Sequence, residues 1–406
     1  MRKPLVLVLH SGYRPFREYL LRMVARHADV WLFQEAAPTW ETPCLTGHTP
    51  VDLGDREAVL AAAMELAGRR RVDGVLCWNE LLVERAAEVQ QLLGVPGAPP
   101  EAVTRCRDKL ATRRALEAAG VPSARFAPVA SLAEARTAAG RLGSPVVVKP
   151  RGLGGSVGVK KAHDDAELEA AYAEAAGAVV DGAPDFGAEV LVEEYLTGEE
   201  ISVDCAIRGG EPLPLFLARK VCGYPPYFEE VAHSVDAADP LLADPALLDL
   251  LRRAHQAVGY HTGITHTEVK LTPDGPRVVE INARLGGDLI PLVASVASGV
   301  DAGQAAVAVG CDRPLPEPPR PSRVAAVRFL YPEQDCVAAE VSVDRSALPD
   351  TVAGAESLVE PGHELRLPPA GHITGRYAYV IVSGPTAQAC WHTAEAAAEA
   401  VHLRAA

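Results

Sequence analysis

The chain has 406 residues, too many for one hydrophobic core, so about two to four domains are expected. Its 39 Lys and Arg stand against 53 Asp and Glu, a net charge of −14, and this argues against a general nucleic-acid binder, which shows a basic stripe. Apolar residues make up 48% of the chain, but their runs are short and broken by charge, so neither a membrane span nor a membrane partner is expected.

The N-terminus, MRKPLVLVLHSGYRPF, superficially resembles a signal peptide. Its apolar run, Leu5 to Leu9, is about one strand long, shorter than the roughly 7–15 residues of a signal h-region, and reads as a first β-strand. Next come an amphipathic helix (REYLLRMVARHA), a strand (DVWLFQ), a helix (DREAVLAAAMELAGRRR), a third strand (VDGVLCWNE) and a helix (ELLVERAAEVQQLLG) ending at a glycine. This alternation implies a parallel, Rossmann-like sheet over residues 1–100. The turn HSGYRP carries no GxGxxG, so dinucleotide binding is not supported there. VPGAPPEA reads as a linker, and RCRDKLATRRALEAAG as one helix beyond it. SLAEARTAAGRLG opens on Ser131 and Glu134 in capping-box spacing. DDAELEAAYAEAAG is helical, AEVLVEEYL a strand, and residues 197–220 a meander about Gly209-Gly210. An amphipathic helix, ALLDLLRRAHQAVG, precedes a hairpin, THTEVKLTPDGPRVVEINARLGG, that turns at Pro273-Asp274-Gly275. The Pro-rich DRPLPEPPRPSR marks the last boundary, and the tail from Val324 reads as short strands and a final helix, TAEAAAEAVHLRA. The eight cysteines are scattered without a CxxC, which fits a reducing cytoplasm.

Residues 146–159 read VVVKPRGLGGSVGV. Walker A fails because the lysine precedes the glycines, and the Rossmann fingerprint fails at Val157. What remains is strand, Lys149, glycine-rich turn, strand: either a decorative hairpin or a loop that folds over phosphates with backbone N–H donors and one fixed cation. Only seven of the 39 basic residues are lysines, so a lysine in such a place carries weight.

Four further stretches follow a fixed order. They are Arg107-Asp108-Lys109; Glu193-Glu194-Tyr195-Leu196 with Glu199-Glu200; Thr267-Glu268-Val269-Lys270; and Glu280-Ile281-Asn282-Ala283-Arg284-Leu285-Gly286-Gly287. Alternate side chains share a strand face, so Glu280, Asn282 and Arg284 project together, and Glu268 on the partner strand can lie opposite. Two carboxylates and an amide oxygen make a hard-oxygen site suited to Mg²⁺ bridging nucleotide phosphates. Arg284 adds a planar cation for phosphate or carboxylate.

This assembly resembles the ATP-grasp superfamily over nearly the whole chain. Within it, EINARLGGD with the upstream Phe228-Glu229-Glu230-Val231-Ala232-His233-Ser234 is most similar to the L-amino acid ligase (dipeptide synthetase) branch. The resemblance implies an α/β architecture: a pre-ATP-grasp domain over 1–100, a two-lobed ATP-grasp domain over 101–315 with a lid lobe at about 121–192, and a C-terminal α/β extension over 316–406. It implies a ligase that phosphorylates an amino acid carboxylate with ATP and joins it to an amine; a purine-type or biotin-dependent carboxylase, or a carrier-protein aminoacyl ligase, is the alternative. ATP and Mg²⁺ (or Mn²⁺) are the implied cofactors, amino acids the substrates, and a homodimer the implied assembly. By the same resemblance, Lys109 and Lys149 hold phosphates, and the backbone through Gly154, Gly155 and Ser156 caps them. Glu193 with the backbone of Tyr195 and Leu196 reads adenine, and Glu200 takes the ribose. Glu268 and Glu280 ligate the metal with Asn282 assisting. Arg284 stabilises the acyl phosphate, while Glu230 and His233 lie near the first amino acid. His261 and His266 lack a zinc spacing and read as structural. Arg376 reaches the site only if the C-terminal segment folds back.

Overall fold

A computed structural model describes residues 2–317 and 323–406, which form four sheets. The first is parallel, with strands β1 (Leu5–Leu9), β2 (Asp29–Phe33), β3 (Gly47–Thr49) and β4 (Gly74–Leu76) in the order β3-β2-β1-β4. Every residue of β1 is buried, because helices cover both faces, and its apolar run is accordingly unbroken. The third strand of the sequence reading is β4; the short β3 is additional. It has no apolar pattern and exists because Gly47 lets the backbone lie on Trp31, where a Cβ would come within 2.2 Å of the indole.

The second sheet is antiparallel. It contains β5 (Phe126–Val129), β6 (Val146–Pro150), β7 (Lys160–Ala162) and β8 (Val190–Glu194) in the order β5-β8-β6-β7. Helices Leu132–Leu142 and Asp165–Gly177 pack on it through Ala135, Ala138, Leu168 and Ala171. The glycine-rich segment is the connection between β6 and β7.

The third sheet organises the molecule. Strands β9 (Glu199–Arg208), β10 (Glu211–Gly223), β11 (Glu229–Asp236), β12 (Thr262–Thr272), β13 (Gly275–Asn282) and β14 (Val324–Leu330) are joined later in the chain by β16 (Val352–Ser357) and β18 (Ala378–Gly384). Their order is β13-β12-β9-β10-β11-β14-β18-β16. The C-terminal segment therefore continues the central sheet, through pairing of β11 with β14. The remaining strands, β15 (Cys336–Val343), β17 (Glu364–Leu365) and β19 (Val401–Ala405), form a small sheet. One core joins the two ends of the chain. Val6, Val8 and Val30 of the first sheet meet Val293, Ala297 and Ala306 from helices Ile290–Ser298 and Ala302–Gly310, which meet Val327 and Ile381 of the central sheet.

Two expectations change. RCRDKLATRRALEAAG is two helices, Pro100–Arg107 and Lys109–Ala118, because Asp108 turns extended (φ −91°, ψ 105°) and its carboxylate accepts the Leu110 N–H at 3.0 Å. The terminal helix spans Ala387–Ala398, and the last residues return as β19 against β15. In the Pro-rich boundary, residues 318–322 lie outside the described residues. Among the described residues no single helix is long and apolar enough to cross a membrane.

Packing of the N-terminal helix makes a prediction. A Cβ on Gly303 would lie 2.6 Å from the Met23 Cβ and 2.7 Å from the Val24 backbone nitrogen. Gly303→Ala should lower the urea midpoint, costing about 1–3 kcal/mol by overpacking. Gly140→Ala, a helical glycine with open space around it, should instead leave the midpoint unchanged or raise it by up to about 1 kcal/mol.

Candidate functional site

The second and third sheets face each other across a cleft of about 1070 Å³. The glycine turn lines it, along with Lys109, Lys149, Glu193–Leu196, Glu200, Glu230, Glu268, Glu280, Arg284 and Gly287. Arg17 and Glu80 join them from the N-terminal region, and His372 and Arg376 from the C-terminal segment. In the turn, Gly155 (φ +64°), Ser156 (+60°) and Gly158 (+70°) are left-handed, which explains the density of glycine there. The turn is docked. Gly152 O accepts from Arg107 at 3.0 Å, Leu153 O accepts from Lys109 at 2.6 Å, and Ser156 Oγ donates to Phe228 O at 3.1 Å.

Lys149 Nζ lies 2.6 Å from Glu193 Oε2, and Arg113 grips the same carboxylate at 2.8 and 3.0 Å. All three side chains are buried. Glu193 is therefore engaged with two cations, and its carboxylate is not free to read a base; the adjacent Tyr195 and Leu196 line the cleft. Burial opposes ionisation of Glu193, but Arg113 and Lys149 outweigh it and hold its pKa below the usual carboxylate value.

Glu268 on β12 and Glu280 on β13 are register partners, with a bulge just beyond. Lys109 Nζ lies 3.1 Å from Glu280 Oε1, and Lys220 Nζ lies 2.8 Å from Glu268 Oε1. Lys220 is fully enclosed and also meets Glu230 at 2.6 Å and Glu200 at 3.5 Å, while Lys270 meets Glu200 at 3.1 Å. Burial pulls the Lys220 pKa down, but its three carboxylates raise it more, so the ammonium stays charged. Burial likewise opposes the ionised form of Glu268, and Lys220 overrides it. The oxygens of the two facing carboxylates are the hard donors a divalent cation takes, and a bound cation would displace the ammonium groups now paired with them. Asn282 follows Glu280 on β13, pairs in register with His266 and is buried, but it does not line the cleft.

Arg284 and Arg107 both bind the carboxylate of Glu80, which lies just past the C-terminal end of β4. Burial opposes its ionisation, but Arg284 and Arg107 pull its pKa to about 2. A third cluster lies beyond Lys220. His233 is fully buried, 3.3 Å from Glu230 Oε2 and 3.5 Å from Asp288 Oδ2. It sits behind Glu230 and does not itself line the cleft. Arg376 does fold back. It meets both Asp288 oxygens at 2.9 Å, donates to Glu230 O at 2.7 Å and to the Tyr331 hydroxyl at 2.8 Å, and stacks 4.0 Å over Phe329. His266 Nδ1 pairs with Asp204 at 2.8 Å, while Asp204 also accepts the Gly286 N–H at 2.6 Å, so this histidine braces the glycine loop.

Sequence reasoning missed Arg113, Glu80 and Arg17. Arg113 had a signal, four residues from Lys109 on one helix face. Glu80 had another, since the carboxyl end of a parallel strand is where α/β sheets place ligands. Arg17 had none; it is one arginine on an amphipathic helix.

The Glu80 geometry sets a pH dependence. A carboxyl whose folded pKa is depressed adds stability above its unfolded pKa of about 4.5, and loses it as pH falls toward 2. The stability difference between the wild type and Glu80→Gln, at most about 3 kcal/mol at neutral pH, should shrink as denaturation is repeated from pH 6 down to pH 3.

A model of the ATP-grasp domain matches residues 142–291. The D-alanine–D-alanine ligase of Pseudomonas putida is 30% identical over 321 residues, 75% of this chain and 91% of that protein. The alanine–anticapsin ligase of Bacillus subtilis is 29% identical over 276 residues, 63% of this chain and 57% of that protein, so the match spans less than two thirds of that relative. In fold, the crystal structure of an L-amino acid ligase from Bacillus licheniformis superposes with a TM-score of 0.82 over 100% of both chains at 20% identity. Because the Pseudomonas putida ligase is 30% identical and matched over 91% of its length, with the glycine turn, lysines and paired carboxylates meeting in one cleft, the chain belongs to the ATP-grasp family.

Proposed function

We propose that this protein is an ATP-dependent carboxylate–amine ligase that joins an amino acid to an amine. The observation that carries the reading is the meeting, in one cleft, of Glu268 opposite Glu280, their ammonium partners Lys220 and Lys109, and Arg284 at the end of the same strand. Lys109, Lys149 and the turn through Gly154, Gly155 and Ser156 bind the nucleotide phosphates. The backbone at Tyr195 and Leu196 takes the adenine, and Glu200 the ribose. Glu193 acts as a positioning residue that holds Lys149. Glu268 and Glu280 would hold Mg²⁺, which would neutralise phosphate charge, while Asn282, buried behind the cleft, would support that strand. The carboxylates of Glu230 and Asp288, backed by His233, accept the ammonium of the first amino acid.

The donor carboxylate oxygen attacks the γ-phosphorus, the bond to ADP breaks, and an acyl phosphate forms. The amine then attacks the acyl carbon, Arg284 stabilises the developing oxyanion, inorganic phosphate leaves, and the amine proton is lost to solvent or a nearby base. The docked turn excludes water from the acyl phosphate. All eight cysteines are free, which suits work in a reducing cytoplasm.

An ADP-release screen over amino acid and amine pairs, with products identified by mass spectrometry, tests the reading. Release should require both substrates. Bicarbonate-dependent release without an amine would overturn it. Glu280→Gln should lower kcat by about a hundredfold or more while remaining folded by circular dichroism. Arg376→Met should raise KM for the donor amino acid about tenfold or more, with a smaller change in KM for ATP, because it frees Asp288 and the Glu230 backbone.

A further inference from the structure

Eight arginine and lysine side chains line the cleft. Seven lie within ion-pair distance of a carboxylate: Arg107, Lys109, Arg113, Lys149, Lys270, Arg284 and Arg376. The eighth is Arg17. Among the described residues no carboxylate lies within ion-pair distance of it; Nη1 donates to the carbonyl of Gly286 at 3.2 Å, and the Tyr19 hydroxyl is its other polar neighbour. Burial lowers the Arg17 pKa and the Arg284 guanidinium adds to that, and the opposing pulls of Tyr19 and the more distant Asp288 do not offset them. A guanidinium in such a place is a receptor for an anion that arrives with a ligand.

The position narrows which anion. Arg17 touches the Gly286 turn, two residues past Arg284, rather than the turn at Gly152–Gly158 that Lys109 and Arg107 hold. It stands in the first turn of helix Arg14–His27, which has no acidic residue there and no side-chain cap at Tyr13, so the helix terminus reinforces its charge. On the ligase reading, on which this inference rests, the nucleotide phosphates have their own lysines. The donor ammonium has Glu230 and Asp288, and the donor carboxylate is consumed at Arg284. One anion is left without a partner: the α-carboxylate of an amino acid acceptor. An alkylamine or an amino acid amide has no such group.

We infer that Arg17 binds the α-carboxylate of the acceptor, so the amine joined is a free α-amino acid and the product a dipeptide with a free C-terminus. The carboxylate anchored at Arg17 holds the α-amine beside the acyl carbon at Arg284. Tyr13, one helical turn before Arg17, and Phe16 line the cleft next to it, with ring centroids 6.1 Å apart, and offer an apolar wall to the acceptor side chain.

The test compares one acceptor in three forms, the amino acid, its carboxamide and its decarboxylated amine, by ADP release and product mass. The wild type should prefer the acid in kcat/KM by about tenfold or more, the scale of a charge-assisted hydrogen bond. Arg17→Met should raise the acceptor KM by a similar factor and erase the preference, with the donor KM unchanged. Arg17→Lys should retain part of it. A wild type that uses the carboxamide as well as the acid overturns the inference, whatever the variants do. So does an Arg17→Met enzyme that keeps the preference, or one whose donor KM rises instead. No ADP release from any donor and acceptor pair overturns the ligase reading itself, a separate and recognisable outcome.

Discussion

One carboxylate, Glu80, holds together parts of the chain that have no other reason to meet. It lies past the end of β4 in the N-terminal sheet and binds Arg107 from the helix before the second sheet and Arg284 from the end of β13. Charges removed from water are tolerated only when paired. The two guanidinium groups and the carboxylate therefore specify one mutual placement of three chain segments. Arg107 passes this on to the glycine turn through the Gly152 carbonyl, and Lys109, two residues later, joins that turn to Glu280.

The same requirement explains the crowding of ionised groups around Lys220. A fully enclosed lysine pairs with Glu200, Glu230 and Glu268 and gathers three acidic side chains into one space. Burial pushes the pKa values of Glu200 and Glu268 up, and Lys220 is the first of the cations that bring them down. Arg376 does the equivalent at the far end, where Asp288, Glu229 and the Glu230 backbone converge on one guanidinium stacked on Phe329. That guanidinium comes from the C-terminal segment, whose strands β14, β18 and β16 continue the central sheet, so this segment completes the site wall as well as extending the fold.

Much of this was legible because the periodic signals were strong. The unbroken apolar run of β1, the Pro-Asp-Gly hairpin that sets Glu268 opposite Glu280, and the lysine before the glycine turn are local patterns with local causes. The misreadings have equally local causes. Asp108 caps a second helix where an unbroken helical pattern suggested one, and β3 depends on a glycine beneath an indole from another strand. Glu193 looked like a base reader in its motif, yet it is spent on Arg113 and Lys149, because a carboxylate this deeply buried takes the nearest cations.

By itself the sequence determined the elements, the order of the motifs and the kind of chemistry their residue types can perform, since strand alternation and turn residues act over a few positions. Only the tertiary structure decided which charges meet. Whether Arg376 reaches the cleft, whether Glu80 binds Arg284, and whether Arg17 is left without a carboxylate depend on contacts spanning up to 269 residues. Local sequence carries no signal for such pairing, because it is settled by which segments share a core and which ionised groups must then be neutralised away from water.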